Sequence, residues 1–215
     1  MKNIVEIMNM SLFINNYRIL ENISIKIEQG EICGLSGRNG SGKSMLLKVI
    51  SGLIPATSGA VRVFDKLVGV NGLFAKDLGI LIEQPGILLN YSAYQNLFVL
   101  GSIKNSIPKN VLSEQIKNIL EKLGLSYSDK RPAKYYSLGM KQKLGIAQAM
   151  LGNPSLILLD EPSNNLDSNS ISDLHNFIKE MKANYNTTFI IASHQNQDFE
   201  QLCTRTVQIE SGRLV

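Results

Sequence analysis

Eight consecutive residues of this chain have the types and spacing to hold a phosphate chain. Gly37-Arg38-Asn39-Gly40-Ser41-Gly42-Lys43-Ser44 fits the pattern G-x-x-x-x-G-K-S. A loop that wraps phosphates must turn its backbone N–H groups inward, and glycines at 37, 40 and 42 permit that shape and a close approach. A helix is expected directly after the loop, so its positive end faces the anion. Lys43 is placed to reach the outer phosphates, and the Ser44 hydroxyl to ligate Mg²⁺.

A second constellation centres on Asp160, 117 residues beyond Lys43. Leu156-Ile157-Leu158-Leu159-Asp160-Glu161 is four aliphatics followed by two acids. Four apolar residues in a row suit a central parallel strand covered on both faces. Asp160 at its carboxyl end then faces the metal held by Ser44. Glu161 is one residue further, where the side-chain direction changes, and a carboxylate there polarises an attacking water. Read alone, the two acids serve equally well as caps of the turn before Pro162. Beside a phosphate loop they read as the acids of nucleotide hydrolysis.

The elements that must carry these residues follow from pattern. Ile4–Met8, Ile23–Ile27 and Glu31–Leu35 are strand-like, with a turn at Glu28-Gln29-Gly30. Met45–Ile50 reads as a helix closed near Gly52. Ser58-Gly59 reads as a turn before a strand at Ala60–Phe64, and Gly79–Ile82 as a short buried strand. From Gly86 to Tyr135 the chain reads as helical. Leu112, Ile116, Ile119, Leu120 and Leu123 share one helical face, and Gly124 is placed to stop that helix. Then follow a helix at Lys141–Leu151, the strand Leu156–Leu159, a helix at Ser168–Ala183, a strand at Thr187–Ala192 and a hairpin turned by Ser211-Gly212. Strand and helix alternating on both sides of a helical insert implies an α/β core with a helical subdomain.

Composition sets the outer bounds. The chain has 215 residues, 44% apolar and 19% charged, enough for a sizeable core in one domain. The net charge of +4 permits an anionic ligand or membrane surface, and the basic residues form no arm of the kind that binds nucleic acid. Cys33 and Cys203 lack metal-ligand spacing and read as two reduced, buried thiols; the sequence leaves a disulfide between them open. The N-terminus lacks the pattern of a signal peptide. The stretch from Gln84 to Ile103 carries no charge, but its polar residues exclude a membrane span.

Taken in order, the motifs resemble the ATP-binding cassette (ABC) family over essentially the whole chain. Gln84 resembles the Q-loop glutamine, a contact to Mg²⁺ and water. Ser137-Leu138-Gly139-Met140-Lys141-Gln142 stands where the signature, usually LSGGQ, belongs. Asn164-Asn165-Leu166-Asp167 resembles the D-loop, and Ile190-Ile191-Ala192-Ser193-His194 the last core strand with its switch histidine. His175 carries no assignment. Ser137 and Gly139 are kept, but Leu138 replaces a glycine and Met140 the usual glutamine, which removes one polar contact to nucleotide. Asn165 stands where small residues are usual.

The resemblance implies an α/β fold, a P-loop NTPase core with an N-terminal antiparallel β subdomain. Residues 1–85 and 153–215 form that core, and 86–152 a helical subdomain bearing the signature. It implies ATP and Mg²⁺ as ligands, Ser44, Gln84 and Asp160 around the metal, and Glu161, His194 and Gln84 in catalysis. An aromatic ring near the N-terminal strands, Tyr17 ahead of Phe13, stacks on adenine. Two copies, or one copy and a related cassette, sandwich ATP between the loop of one and Ser137, Gly139 and Asp167 of the other. A separate transmembrane permease then docks on the uncharged stretch, led by Pro85, Ile87, Leu88, Tyr91 and Tyr94. That places the chain on the cytoplasmic face of the cell membrane. The S-L-G-M signature is similar to those of bacterial drug and antimicrobial-peptide exporters. The alternatives are an ABC ATPase outside transport, as in metal-cluster assembly, a single-site P-loop kinase, and a nucleotide-sensing module without turnover.

Overall fold

The structure, a computed structural model, describes residues 2–103, 107–194 and 201–215. Positions 104–106, inside the segment read as helical, and Met1 of the N-terminal reading lie outside the described residues, as do 195–200 of the expected core.

The chain opens on a long hairpin, β1 (Asn3–Ile14) and β2 (Tyr17–Glu28). Asn15 and Asn16 both take positive φ, as a two-residue turn matched to strand twist requires. In β2 the residues Ile23, Ile25 and Ile27 face the core while Ser24, Lys26 and Glu28 face out. β4 (Ser58–Val63) adds to the other edge of β1 and β5 (Lys66–Leu67) follows, giving the antiparallel order β2-β1-β4-β5. Ser58-Gly59 is therefore no turn. It lies within β4, opposite a register shift between Met8 and Ser11 of β1. The turn falls later, at Phe64-Asp65, where φ is positive at both residues.

A second sheet has the order β10-β9-β3-β8-β7-β6. β3 (Ile32–Ser36), β6 (Leu78–Leu81), β7 (Leu156–Asp160) and β8 (Thr188–Ser193) run parallel, and β9 (Arg205–Glu210) joins β3 parallel. β10 (Arg213–Leu214) folds back on β9 at Ser211-Gly212, the expected hairpin. β7 is buried along its length because both faces are covered. Its Leu156 and Leu158 enter the core under the β subdomain and α1 (Lys43–Ser51), while Ile157 and Leu159 enter the core under the helices. β8 divides in the same way, with Phe189 and Ile191 on one side and Ile190 and Ala192 on the other. Truncating any of the leucines, isoleucines or Phe189 among these to Ala costs on the order of 2–5 kcal/mol.

The insert comprises α2 (Ala93–Ile103), α3 (Lys109–Lys122), a 3-10 turn at Ala133–Tyr135 and α4 (Leu138–Met150). α3 buries the face read from sequence, and Gly124 ends it at φ +66 with the Leu125 N–H on the Leu120 carbonyl. α4 starts three residues earlier than expected because the Ser137 hydroxyl caps it, accepting from the Met140 N–H at 3.2 Å. α5 (Ser168–Tyr185) is capped by Asp167. Cys33 is buried in β3, whereas Cys203 is only half-buried, and no disulfide joins them.

Candidate functional site

Four neighbouring parallel strands, in the order β3, β8, β7 and β6, end on one edge of the sheet. Each is followed by one of the residue groups singled out in the sequence: the phosphate loop, His194, Asp160-Glu161 and Gln84. Open parallel sheets place ligand sites along this carboxyl edge. Residues up to 157 positions apart in sequence thus meet because their strands are adjacent.

The phosphate loop is braced from two sides. The Gly212 N–H of the β9–β10 hairpin donates to the Ser41 carbonyl at 3.0 Å. β2 packs against Gly42, where φ is +112 and an added Cβ would lie 2.7 Å from Leu20 Cδ2. Any larger residue there would have to displace the buried Leu20 side chain, and φ +112 strains it besides. α1 follows directly, so its first N–H groups line the loop. Arg38, Asn39 and Gly40 are exposed, whereas Ser41 and Lys43 are buried.

Lys43 is the hub. Its ammonium donates to the carbonyls of Gly37 at 2.7 Å and Arg38 at 3.3 Å. It also lies 3.6 Å from Glu161 Oε1. The other carboxylate oxygen of Glu161 is 2.8 Å from His194 Nδ1. Loop, strand-end acid and histidine form one continuous polar line. Glu161 sits at φ +48, a left-handed conformation that is costly for a residue with a side chain. That backbone turn re-aims the carboxylate after β7.

Asp160 faces Ser44, and the Ser44 hydroxyl and the Glu83 backbone favour its ionised form. Burial pushes the Asp160 carboxyl above the usual carboxylate range and the Glu161 charge adds to this; Ser44, Glu83 and Lys43 pull the other way. Its Oδ1 is buried without a partner. A buried anionic oxygen beside a serine hydroxyl suits a hard cation such as Mg²⁺. Gln84 is exposed and lines a cleft of about 500 Å³ together with Glu83, Asp160, Glu161, Leu138 and Gln142.

The remaining sequence-derived candidates fall into three groups. Ser137 and Gly139 lie at the exposed start of α4, and a Cβ at Gly139 would meet the Asn165 carbonyl at 2.6 Å. Asp167 caps α5 by accepting from the Ser170 N–H at 2.8 Å, a bond that holds its carboxyl below the usual range. Tyr17 is 75% exposed on β2, two residues before Ile19 on the same face. Among the five aromatic and apolar residues proposed for docking, Leu88 and Tyr91 are exposed. Pro85, Ile87 and Tyr94 turn partly inward, Tyr94 stacking on Phe98 with ring centres 5.9 Å apart.

Three residues gained no role from the sequence. Leu89 is exposed beside Leu88. Lys48 on α1 forms an ion pair with Glu83 at the start of the Gln84 loop. Gln142, within the signature segment, is buried and donates to two carbonyls at the end of β7. Only Gln142 left a signal in the sequence, a polar residue among the apolar buried positions of α4.

Comparison with known proteins agrees with this arrangement. A profile of the family described as ABC transporter matches residues 20–164. The uncharacterized ABC transporter ATP-binding protein YybJ of Bacillus subtilis is 36% identical over 210 residues, 98% of this chain and 94% of its own length. The bacitracin transport ATP-binding protein BcrA of Bacillus licheniformis is 33% identical over all of this chain and 69% of its own. The lantibiotic transport ATP-binding protein SrtF of Streptococcus pyogenes is 34% identical over 98% of this chain and 89% of its own. Among solved structures, the ADP conformation of MJ1267, an ATP-binding cassette of an ABC transporter, superposes with a TM-score of 0.81 at 25% identity, over 100% of this chain and 90% of that one. The dimeric post-hydrolysis state of the cassette MJ0796 bound to ADP and Pi reaches 0.87 at 21% identity, over 98% of this chain and 96% of that one.

Proposed function

The chain belongs to the ABC transporter family, and from that premise we propose that it powers export of an antimicrobial peptide or drug through a separate membrane permease. It is an ATP-binding cassette that hydrolyses ATP. The names of BcrA and SrtF support transport over a role in metal-cluster assembly, and support the choice of cargo. Their shared description as transport ATP-binding proteins also supports a peripheral position at the membrane.

The observation that carries the mechanism is the line Lys43–Glu161–His194. The Lys43 charge is satisfied by two loop carbonyls and by Glu161. Phosphate oxygens of ATP replace those carbonyls as its partners, and the loop N–H groups hold the rest of the chain. Glu161, relieved of Lys43, accepts hydrogen bonds from a water and aims it at the terminal phosphate; His194 holds the far carboxylate oxygen. Ser44, Asp160 and Gln84 would hold Mg²⁺, which neutralises charge on the phosphates. Tyr17, exposed on β2, would serve as the adenine platform. Catalysis is then positioning and charge stabilisation.

The two-copy arrangement follows from where Ser137 and Gly139 sit. Ser137 is exposed on the insert and Gly139 half-buried beside it, and the capped start of α4 offers N–H groups to an anion. ATP in the shared interface stabilises the closed pair, and hydrolysis withdraws that stabilisation. Residues 1–85 and 153–215 serve as the nucleotide-binding core and 86–152 as the arm that presents Ser137 and a docking surface at Leu88, Leu89 and Tyr91. Mutation separates the steps. Lys43→Ala is expected to abolish ATP turnover. Glu161→Gln is expected to bind ATP, hydrolyse poorly and elute as a dimer in ATP by size-exclusion chromatography; a fully active monomeric Glu161→Gln protein contradicts the assignment.

A further inference from the structure

We propose that Gln142 is a positioning residue for hydrolysis, pinning the backbone that aims Glu161 and tying it to the helix that carries Ser137. This rests on the reading of Glu161 as the acid that orients water. The Gln142 side chain is 9% exposed, and its amide nitrogen donates to the carbonyls of Glu161 and Pro162, each at 3.1 Å. These are the first two peptides beyond Asp160, at the point where the chain leaves β7 in a left-handed turn. Such a conformation persists at a residue with a side chain only where surrounding contacts hold it. Three other backbone bonds act on this turn: the Glu161 N–H donates to the Ala192 carbonyl at 2.8 Å, the Asn164 N–H to the Glu161 carbonyl at 3.2 Å, and the Leu166 N–H to the Ser163 carbonyl at 3.2 Å. These bonds belong to the core itself. Gln142 reaches the turn from the insert.

The consequence is mechanical. Ser137 and Gln142 stand five positions apart at the start of one rigid helix, about 7.5 Å along its axis. Ser137 is exposed and caps the helix from outside; Gln142 is buried and holds Glu161 from inside. A helix drawn toward a partner's nucleotide therefore pulls on the turn that aims its own Glu161. Gly139 lets α4 approach closely enough for this, because a Cβ there would strike the Asn165 carbonyl at 2.6 Å. An aliphatic side chain fills the same volume without holding either carbonyl.

The test uses the purified full chain with MgATP. Gln142→Met is expected to lower kcat between about tenfold and a hundredfold, the loss that follows a slight misplacement of a catalytic group. KM for ATP should stay within about twofold, because the nucleotide contacts are elsewhere. Gln142→Glu keeps the length but presents acceptor oxygens to the same two carbonyls, and is expected to lose kcat likewise; it serves as the reading if Gln142→Met does not fold. A lowered thermal midpoint with wild-type kcat below it, in either folded variant, makes Gln142 a scaffold residue and overturns the proposal. Glu161→Gln run in parallel separates the two ideas. If it hydrolyses normally, the reading of Glu161 fails and the inference with it. If it is inactive while Gln142→Met is fully active, the inference alone fails.

Discussion

Asp160 is held against its own preference. Burial favours its neutral form, yet a metal ligand must be ionised, and its Oδ1 is buried without a partner. The sign of the pH effect follows. A carboxyl raised above its unfolded value penalises the folded state at neutral pH, and the penalty lifts as pH falls through the raised value. Asp160→Asn is therefore expected to raise the thermal midpoint of the nucleotide-free protein at pH 7. The gain should shrink as the pH falls below the raised value toward the ordinary carboxylate range, where wild type is neutral in both states. The same variant should lose Mg²⁺-dependent turnover. Thermal melts across pH, beside an ATPase assay, read both halves. Gain of stability with loss of activity is what a site built for an ion predicts.

The elements of the insert are joined by specific contacts that make it act as a unit. The Ala133 N–H donates to the Tyr91 carbonyl and the Lys134 N–H to the Leu89 carbonyl, both at 2.9 Å. Tyr136 accepts from the Ala93 N–H at 3.1 Å, so its hydroxyl caps the first turn of α2. The loop proposed to meet the permease is thus bonded to Ala133 and Lys134, a few residues before Ser137. Tyr136→Phe removes only that hydroxyl and leaves a buried N–H unmatched, at about 1–3 kcal/mol. Equilibrium unfolding in urea should show that loss. Burial raises the Tyr136 phenol above its ordinary value, so it stays protonated across the neutral range.

At the scale of the molecule, two cores share one sheet. One core binds the phosphate loop and α1 to the β subdomain, and the other binds the insert to the opposite face. The carboxyl edge lies where β3, β8, β7 and β6 end together, and open parallel sheets place ligand sites along such an edge. Among the described residues no helix is long and apolar enough to cross a membrane. The proposed docking surface at Leu88, Leu89 and Tyr91 is exposed, at 44%, 52% and 44% of their areas. Leu88→Asp is expected to leave the thermal midpoint of the isolated chain within about a degree, since exposed substitutions seldom matter to stability. It should reduce recovery of the chain with its permease from detergent-solubilised membranes. Unchanged recovery removes this loop from the docking surface.

The sequence by itself determined the phosphate loop, the acid pair, the order of the elements and the helical insert. Those signals are local: glycine spacing, four aliphatics before two acids, one apolar face on α3. It also placed Tyr17, Gln84 and His194 in order, through resemblance. The tertiary structure decided what depends on distant partners. Ser58-Gly59 became part of a strand because β1 pairs with it across a register shift, which no turn propensity reveals. Asp167 and Ser137 became caps because helices start there and their N–H groups need acceptors. The line from Lys43 through Glu161 to His194, and the hold of Gln142 on Glu161, exist because the parallel order β3-β8-β7 and the packing of α4 bring those segments together. Local spacing encodes chemistry that one segment completes alone; contacts between segments wait on the sheet order that a hydrophobic pattern leaves undetermined.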